Sequence, residues 1–378
     1  MLANSIKLGR IWSIPIGVHP TWFLIFGLVT WSLAGGYFPQ EYPDLPVVAY
    51  WLLGVITSLL FFGSVLVHEL AHAFVARRNG LPVEGITLFI FGGAATIGKE
   101  PPSAGAEFRI AVAGPLASFG LALFFEALFL LDQQIPLLAA PSVWLARINL
   151  MLALFNLIPG FPLDGGRILR AIVWHRTGNF YRATQIASGA GQIVALGFNV
   201  VGILTIVFGS LFDGLWLIFI GWFLQNAIAS NLAQTSLQHL LRDVRVAQAM
   251  TPHYARVEPL VSLQRIVDEQ VVNGGQQFFV VREGDQVLGV VTLDAIQAIS
   301  PREWRYKTAG QVMIPLGRLA TLSPQSGLLE ALRSLDESRA TQMLVMEGDQ
   351  VAGILDRNAI MQLVQVRAQF SNTVEAAT

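Results

Sequence analysis

Cysteine is absent from all 378 residues, which excludes a disulfide framework and leaves any metal site to nitrogen and oxygen ligands. Charge is scarce too: Asp, Glu, Lys and Arg make up 13% of the chain, against 53% hydrophobic residues. With a mean hydropathy of +0.56, this is not the balance of an ordinary soluble domain. With 24 basic side chains against 25 acidic ones, net charge says nothing about nucleic acid, and no nucleic-acid partner is expected. The scarcity is uneven. Residues 1–240 are poor in charge, whereas the remainder alternates apolar and polar residues as a water-facing domain does. Near the N-terminus there is no small-residue cleavage pattern, and His19-Pro20 interrupts the run. A retained first helix is expected there, not a signal peptide.

A bilayer-spanning helix takes about 20 apolar residues. Six stretches approach that length, at 18–34, 47–76, 107–131, 143–158, 187–208 and 214–230. Lys7, Arg10, Arg77, Arg78, Lys99, Arg167, Arg170, Arg176 and Arg182 fall on one side of a six-span arrangement. The opposite loops, 35–46, 132–142 and 209–213, hold neither Lys nor Arg, and Arg147 is the one exception. The positive-inside bias therefore puts both termini in the cytoplasm, with the chain in a cell (plasma or inner) membrane.

Within the second stretch stands His68-Glu69-Leu70-Ala71-His72. On a helix the two histidines share one face and can reach one metal ion, with Glu69 beside it to take a proton from water. An ionisable residue at mid-membrane costs roughly 2.5–3.5 kcal/mol on insertion scales and normally faces a protein interior. Incidental polar residues would leave that cost unexplained. A third ligand should come from the same depth, and Asp164 in Asn156-Leu-Ile-Pro-Gly-Phe-Pro-Leu-Asp164-Gly-Gly-Arg167 is the candidate. An Asp before Gly-Gly is also a turn former. Asn149 and Asn156, seven apart, put a polar stripe on one face of the fourth span, as a helix lining the metal cavity would have. His19, at the start of the first span, is either auxiliary to the metal or an interfacial helix-start residue.

These motifs resemble the site-2 protease family of intramembrane zinc metalloproteases over residues 1–230 or so. Weaker supporting pieces are Gly17-Val-His-Pro-Thr-Trp, Phe91-Gly-Gly-Ala-Ala and Ala113-Gly-Pro-Leu-Ala-Ser. The resemblance implies one Zn2+ per chain held by His68, His72 and Asp164, with Glu69 as general base. It also implies that Asn156 stabilises the oxyanion. Zinc brings the pKa of its water to about 7. Ala113, Gly114, Ala117 and Ser118 are expected to form a small-residue face for close helix packing. Residues 84–99 are too short and glycine-broken to span, and are expected to form a re-entrant β-hairpin. Its edge could pair with an unwound substrate, or it could be a loop packed for structural reasons.

Beyond a polar linker, 231–243, a repeat with a period near 64 begins. Ala249-Met250 matches Val312-Met313, Phe278-Phe-Val-Val matches Met343-Leu-Val-Met, and Gly289 matches Gly353. The repeat resembles a tandem CBS pair, with copies at 244–302 and 308–368. Such pairs often sense adenine nucleotides through a Ser or Thr followed three residues later by Asp. Here Ala295 follows Thr292, and the second copy has Asp356 with Ala359, which argues against an adenine nucleotide. A scaffold role, or a homodimer through the CBS pair, stands as the alternative.

The expected architecture is a multi-pass α-helical membrane domain at 1–230, with about six transmembrane helices and the hairpin, followed by a soluble α/β tandem CBS module. The expected activity is zinc-dependent hydrolysis of a transmembrane protein substrate near the cytoplasmic leaflet, with a regulatory CBS pair. The alternative is a CBS-gated metal-ion transporter or metal-binding membrane protein. Transport would spread polar groups over several depths, and the strongest cluster here lies at one.

Overall fold

In a computed structural model, which describes residues 5–131, 133–338 and 340–375, the chain forms two compact units, Met1–Ala233 and Gln234–Thr378. The helices leading into the second unit are α1 (Thr21–Ser32), α2 (Phe38–Glu41), α3 (Val47–Arg78), α4 (Ala104–Leu131), α5 (Pro136–Asn156), α6 (Asp164–Thr177), α7 (Phe180–Val207) and α8 (Leu211–Leu241). Among the described residues, six helical stretches are long and apolar enough to cross a membrane: Thr21–Glu41, α3, α4, α5, α7 and α8. The first runs past the expected end at 34. Gly35-Gly36 widens the helix into a π turn, Leu33–Tyr37, before α2 takes over. The fourth starts at Pro136, not at 143, because proline is tolerated in the first turn, where its missing N–H has no partner to lose. α8 continues through residues 231–241 of the expected linker as regular helix.

α3 organises this unit. At 1.5 Å per residue its 32 residues reach about 48 Å, longer than the roughly 30 Å hydrocarbon layer. Its buried residues, among them Leu53, Gly54, Thr57, Ser58, Val65, His68 and His72, recur at helical spacing on one face. Arg77 and Arg78 end it, favoured by the negative end of the helix dipole.

Against α3 lies a four-stranded sheet, more than the expected hairpin. The strands are β1 (Ile6–Ile11), β2 (Ile14–Val18), β3 (Val83–Phe89) and β4 (Gly92–Ile97), in the order β1-β2-β3-β4. β1–β2 and β3–β4 are antiparallel hairpins, and β2 joins β3 in parallel with Ile16 opposite Ile86 and Val18 opposite Leu88. Ile14, Ile16 and Ile86 pack on Leu70 and Ala73 of α3, and Val18 and Leu88 pack on Val65. The first hairpin escapes sequence reading because Trp12 and Ser13, at φ 49° and 64°, make its two-residue turn where Asn-Gly would be the usual signal.

The second unit repeats itself in space. Its strands are β5 (Ala255–Val257), β6 (Phe278–Glu283), β7 (Gln286–Thr292), β8 (Ile314–Pro315), β9 (Thr321–Leu322), β10 (Gln342–Glu347) and β11 (Gln350–Asp356). Its helices after α8 are α9 (Leu263–Ile266), α10 (Leu293–Gln297), α11 (Ala309–Val312), α12 (Leu328–Ser338) and α13 (Arg357–Glu375). β5 and β9 each run parallel to the following long strand, β6 or β10, which is antiparallel to the next. Bulges at Val281/Arg282 and Val345/Met346 fix the register: Phe279, not Phe278, is equivalent to Met343. Phe279 and Val281 pack on one half's helices, Met343 and Val345 on the other's, and Val280 and Leu344 meet in the core between the sheets. Thr292 caps α10 by accepting the Ala295 amide at 3.2 Å, and Asp356 accepts the Asn358 amide at 2.6 Å at the start of α13. Both side chains at the nucleotide-type positions are therefore helix caps.

Candidate metal centre

His68 and His72 lie one helical turn apart on the buried face of α3, each 4% exposed. Asp164 opens α6, where the positive end of the helix dipole favours a carboxylate. The three converge. His68 Nε2 and His72 Nε2 each stand 3.1 Å from Asp164 Oδ2 and 3.2 Å from one another. Among the described residues they form the one group of His, Asp and Glu side chains close enough to share a metal ion.

The opposite ring nitrogens are held. His72 Nδ1 donates to the Ile110 carbonyl at 2.6 Å, and His68 Nδ1 meets Ser118 Oγ at 2.9 Å. Because a carbonyl only accepts, neutral His72 keeps its proton on Nδ1 and turns the Nε2 lone pair inward. Asp164 also offers only lone pairs when ionised. His72 and Asp164 approach this closely only with a proton or a cation between them, and with His68 they are placed to share one metal ion. Ligands about 2.0–2.2 Å from a tetrahedral zinc ion stand about 3.3–3.6 Å apart; the 3.1–3.2 Å spacing here falls just short of that. Two imidazoles and a carboxylate, each imidazole with an outer partner that fixes its orientation, fit zinc with a position left for water.

α4 forms the wall behind the histidines. Ile110, Gly114 and Ser118 are four apart, and the helices run antiparallel, with His72 against Ile110 and His68 against Ser118. A Cβ added to Gly114 would stand 2.5 Å from His68 Nε2 and 2.6 Å from His72 Cε1. The small-residue face is thus part of the centre as well as a packing surface.

Glu69 is not among the converging three. It is partly buried beside them, and its Oε2 accepts the Ala95 amide of β4 at 3.1 Å. Asn149 donates to Ser64 Oγ at 3.2 Å and to the Leu145 carbonyl at 2.8 Å, one turn before His68 on the same face of α3. Asn156 is turned to its own helix, donating to the Leu152 carbonyl at 3.0 Å, and is not brought to the metal ligands. His19 is not brought there either; its Nδ1 meets Thr21 Oγ1 at 2.9 Å at the start of α1.

One functional pairing was not legible in the sequence. Arg170, which reads as a cytoplasmic loop charge, is 8% exposed and pairs with Glu107 of α4, which is fully buried. Arg170 Nε donates at 2.7 Å, a second guanidinium nitrogen contacts the same oxygen, and the planar group lies over Phe161 and Phe180. Removing one partner of such a buried pair typically costs about 3–5 kcal/mol. The pair ties α6, and so Asp164, to the helix that orients both histidines.

Residues 56–140 and 134–198 match the family model described as Peptidase family M50. Rip3 of Mycobacterium tuberculosis is 38% identical over 373 residues, covering 97% of this chain and 94% of its own. Zinc metalloprotease MJ0392 of Methanocaldococcus jannaschii is 29% identical, covering 96% of each chain. Among solved structures, the site-2 protease from Methanocaldococcus jannaschii is similar at 32% identity, covering 60% of this chain and 95% of its own, with a TM-score of 0.41.

Proposed function

Since the chain belongs to peptidase family M50 and is a membrane zinc metalloprotease of the site-2 protease type, we propose that it cuts a peptide bond of a membrane-spanning substrate near the cytoplasmic leaflet. His68, His72 and Asp164 hold one zinc ion, which supplies Lewis acidity toward water and the substrate carbonyl. The observation that carries this reading is the convergence of three possible ligand atoms, from two imidazoles and a carboxylate, within 3.2 Å of one another. Glu69 takes the proton of the attacking water and delivers it to the leaving nitrogen. Its bond to the Ala95 amide fixes one carboxylate oxygen and leaves the other for that proton. β4 is an edge strand, so its outer backbone groups can hold the substrate extended. Asn156 gives up the Leu152 carbonyl to donate to the oxyanion. Cleavage of single-span peptides by the purified protein should stop with a chelator and return with zinc.

The roles of Asp164 and Asn156 separate by metal analysis. Asp164→Ala should lower zinc occupancy together with activity. Asn156→Ala should retain zinc and slow turnover by about 10²–10³-fold, the usual worth of an oxyanion donor. Full zinc in purified Asp164→Ala would reduce that residue to a helix-start carboxylate.

The tandem repeat regulates access to the centre, through a coupling of typically 1–3 kcal/mol. Deleting residues 244–378 should therefore leave zinc bound and change the cleavage rate at fixed oligomeric state. A changed oligomeric state with unchanged activity per molecule would make the repeat a dimerisation module.

A further inference from the structure

The β1–β2 hairpin carries features that peptide hydrolysis does not use. β1 is exposed along its whole length, with Ile6 and Leu8 at 50% and 65% exposure. Trp12, at the hairpin turn, is 62% exposed in a left-handed conformation that a bulky residue rarely adopts. Its ring stands 5.4 Å from that of Phe74, Arg77 donates to its carbonyl, and the Arg78 guanidinium lies 4.3 Å over Phe74. Beside the hairpin is a cavity of about 570 Å³ lined by Lys7 and Arg10, with Glu84 as its one acid. Among the described residues, none of these four cations has a carboxylate within ion-pair distance.

Position decides what these groups meet. The exposed apolar side chains of α3, Val67 and Phe74 among them, end where Arg77 and Arg78 begin. That change from apolar to cationic marks the boundary between hydrocarbon and headgroups, the level at which tryptophan accumulates. Charges alone would serve to protect a sheet edge from pairing. They would not account for Ile6, Leu8 and Trp12 exposed beside them. A protein partner fits less well, because interface cores are depleted in charged residues. We propose that the hairpin is an interfacial anchor: Trp12 seats in the headgroup layer, and Lys7, Arg10, Arg77 and Arg78 bind anionic phospholipid of the adjoining leaflet.

Because the chain has no cysteine, a single thiol can report the depth of the turn. Full-length Ser13→Cys would carry a nitroxide in bilayers of phosphatidylcholine, with or without one-third phosphatidylglycerol, with unchanged zinc content as the folding control. Leu8→Cys is the second position should that turn not tolerate the label. In anionic bilayers the label should be shielded from a water-soluble nickel chelate and open to oxygen. Lys7→Ala and Arg10→Ala should each lower the docked-to-free ratio about five-fold, as expected for one cation at an anionic surface. Equal aqueous accessibility in both bilayers would overturn the proposal. So would shielding from both probes, which indicates a protein cover, or a response to soluble glycerol phosphate in detergent, which indicates a free-phosphate site.

Discussion

Glu69→Gln is expected to bind zinc like the parent chain and to lose at least about 10²–10⁴-fold in cleavage rate, the contribution typical of a general base. The substitution keeps shape. A glutamine oxygen can still accept the Ala95 amide that Glu69 Oε2 accepts at 3.1 Å, so the sheet stays in place against α3. None of the three converging ligand atoms belongs to Glu69, so occupancy should be untouched. Only the capacity to take a proton disappears. The measurement is cleavage of a single-span peptide alongside metal analysis of the same preparation. Parent-like cutting would remove Glu69 from the chemistry, and loss of zinc would make it a ligand.

The second large effect should come from a methyl group. Gly114→Ala puts a Cβ 2.5 Å from His68 Nε2 and 2.6 Å from His72 Cε1, in the space toward which the ligand atoms point. Neither ring can retreat freely, because their Nδ1 atoms are tied to Ser118 and the Ile110 carbonyl of the same helix. Zinc occupancy and activity should fall together, to below a tenth of the parent values. Alanine is the better helix former by about 0.8–1.0 kcal/mol, so loss of helix propensity cannot be the cause. Circular dichroism should report unchanged helix content. A fully zinc-loaded, active variant would mean that α4 stands farther from the histidines than 2.5 Å implies.

Much of this centre was legible because its most informative part is local. His68 and His72 advertise a shared face through spacing alone, and Asp164 stands out by depth and by the Asn149 and Asn156 stripe on the helix before it, although its Gly-Gly partners read as a turn. Gly165 and Gly166 leave no room for a side chain against the backbone of residues 157–161, which is a packing reason for that glycine pair. Family membership removes the ground for the transporter alternative. What stayed hidden is what no local pattern encodes. The Ile110 carbonyl could be any helical carbonyl, and Ser118 reads as one more small residue. Arg170 reads as a loop cation until Glu107 is seen beside it. The sheet was half visible: residues 84–99 are too short and glycine-broken to span and read as a hairpin, but Trp12-Ser13 carries no turn signal. In the second unit the period of the repeat was readable, whereas the one-residue slip at Phe279 needed the bulge to correct it.

The centre is assembled from distant stretches of chain. Its contacts join residues 38, 50, 92 and 96 positions apart, and β2 meets β3 only after two membrane helices intervene. During synthesis the paired histidines therefore emerge well before the helix wall that orients them, and earlier still than the aspartate that completes the set. The strand whose amide holds Glu69 comes between, at residues 92–97. A partly made chain owns the recognisable motif without the means to use it. Competence arrives late, at a single stage of biogenesis, when α6 docks and the last ligand closes the set.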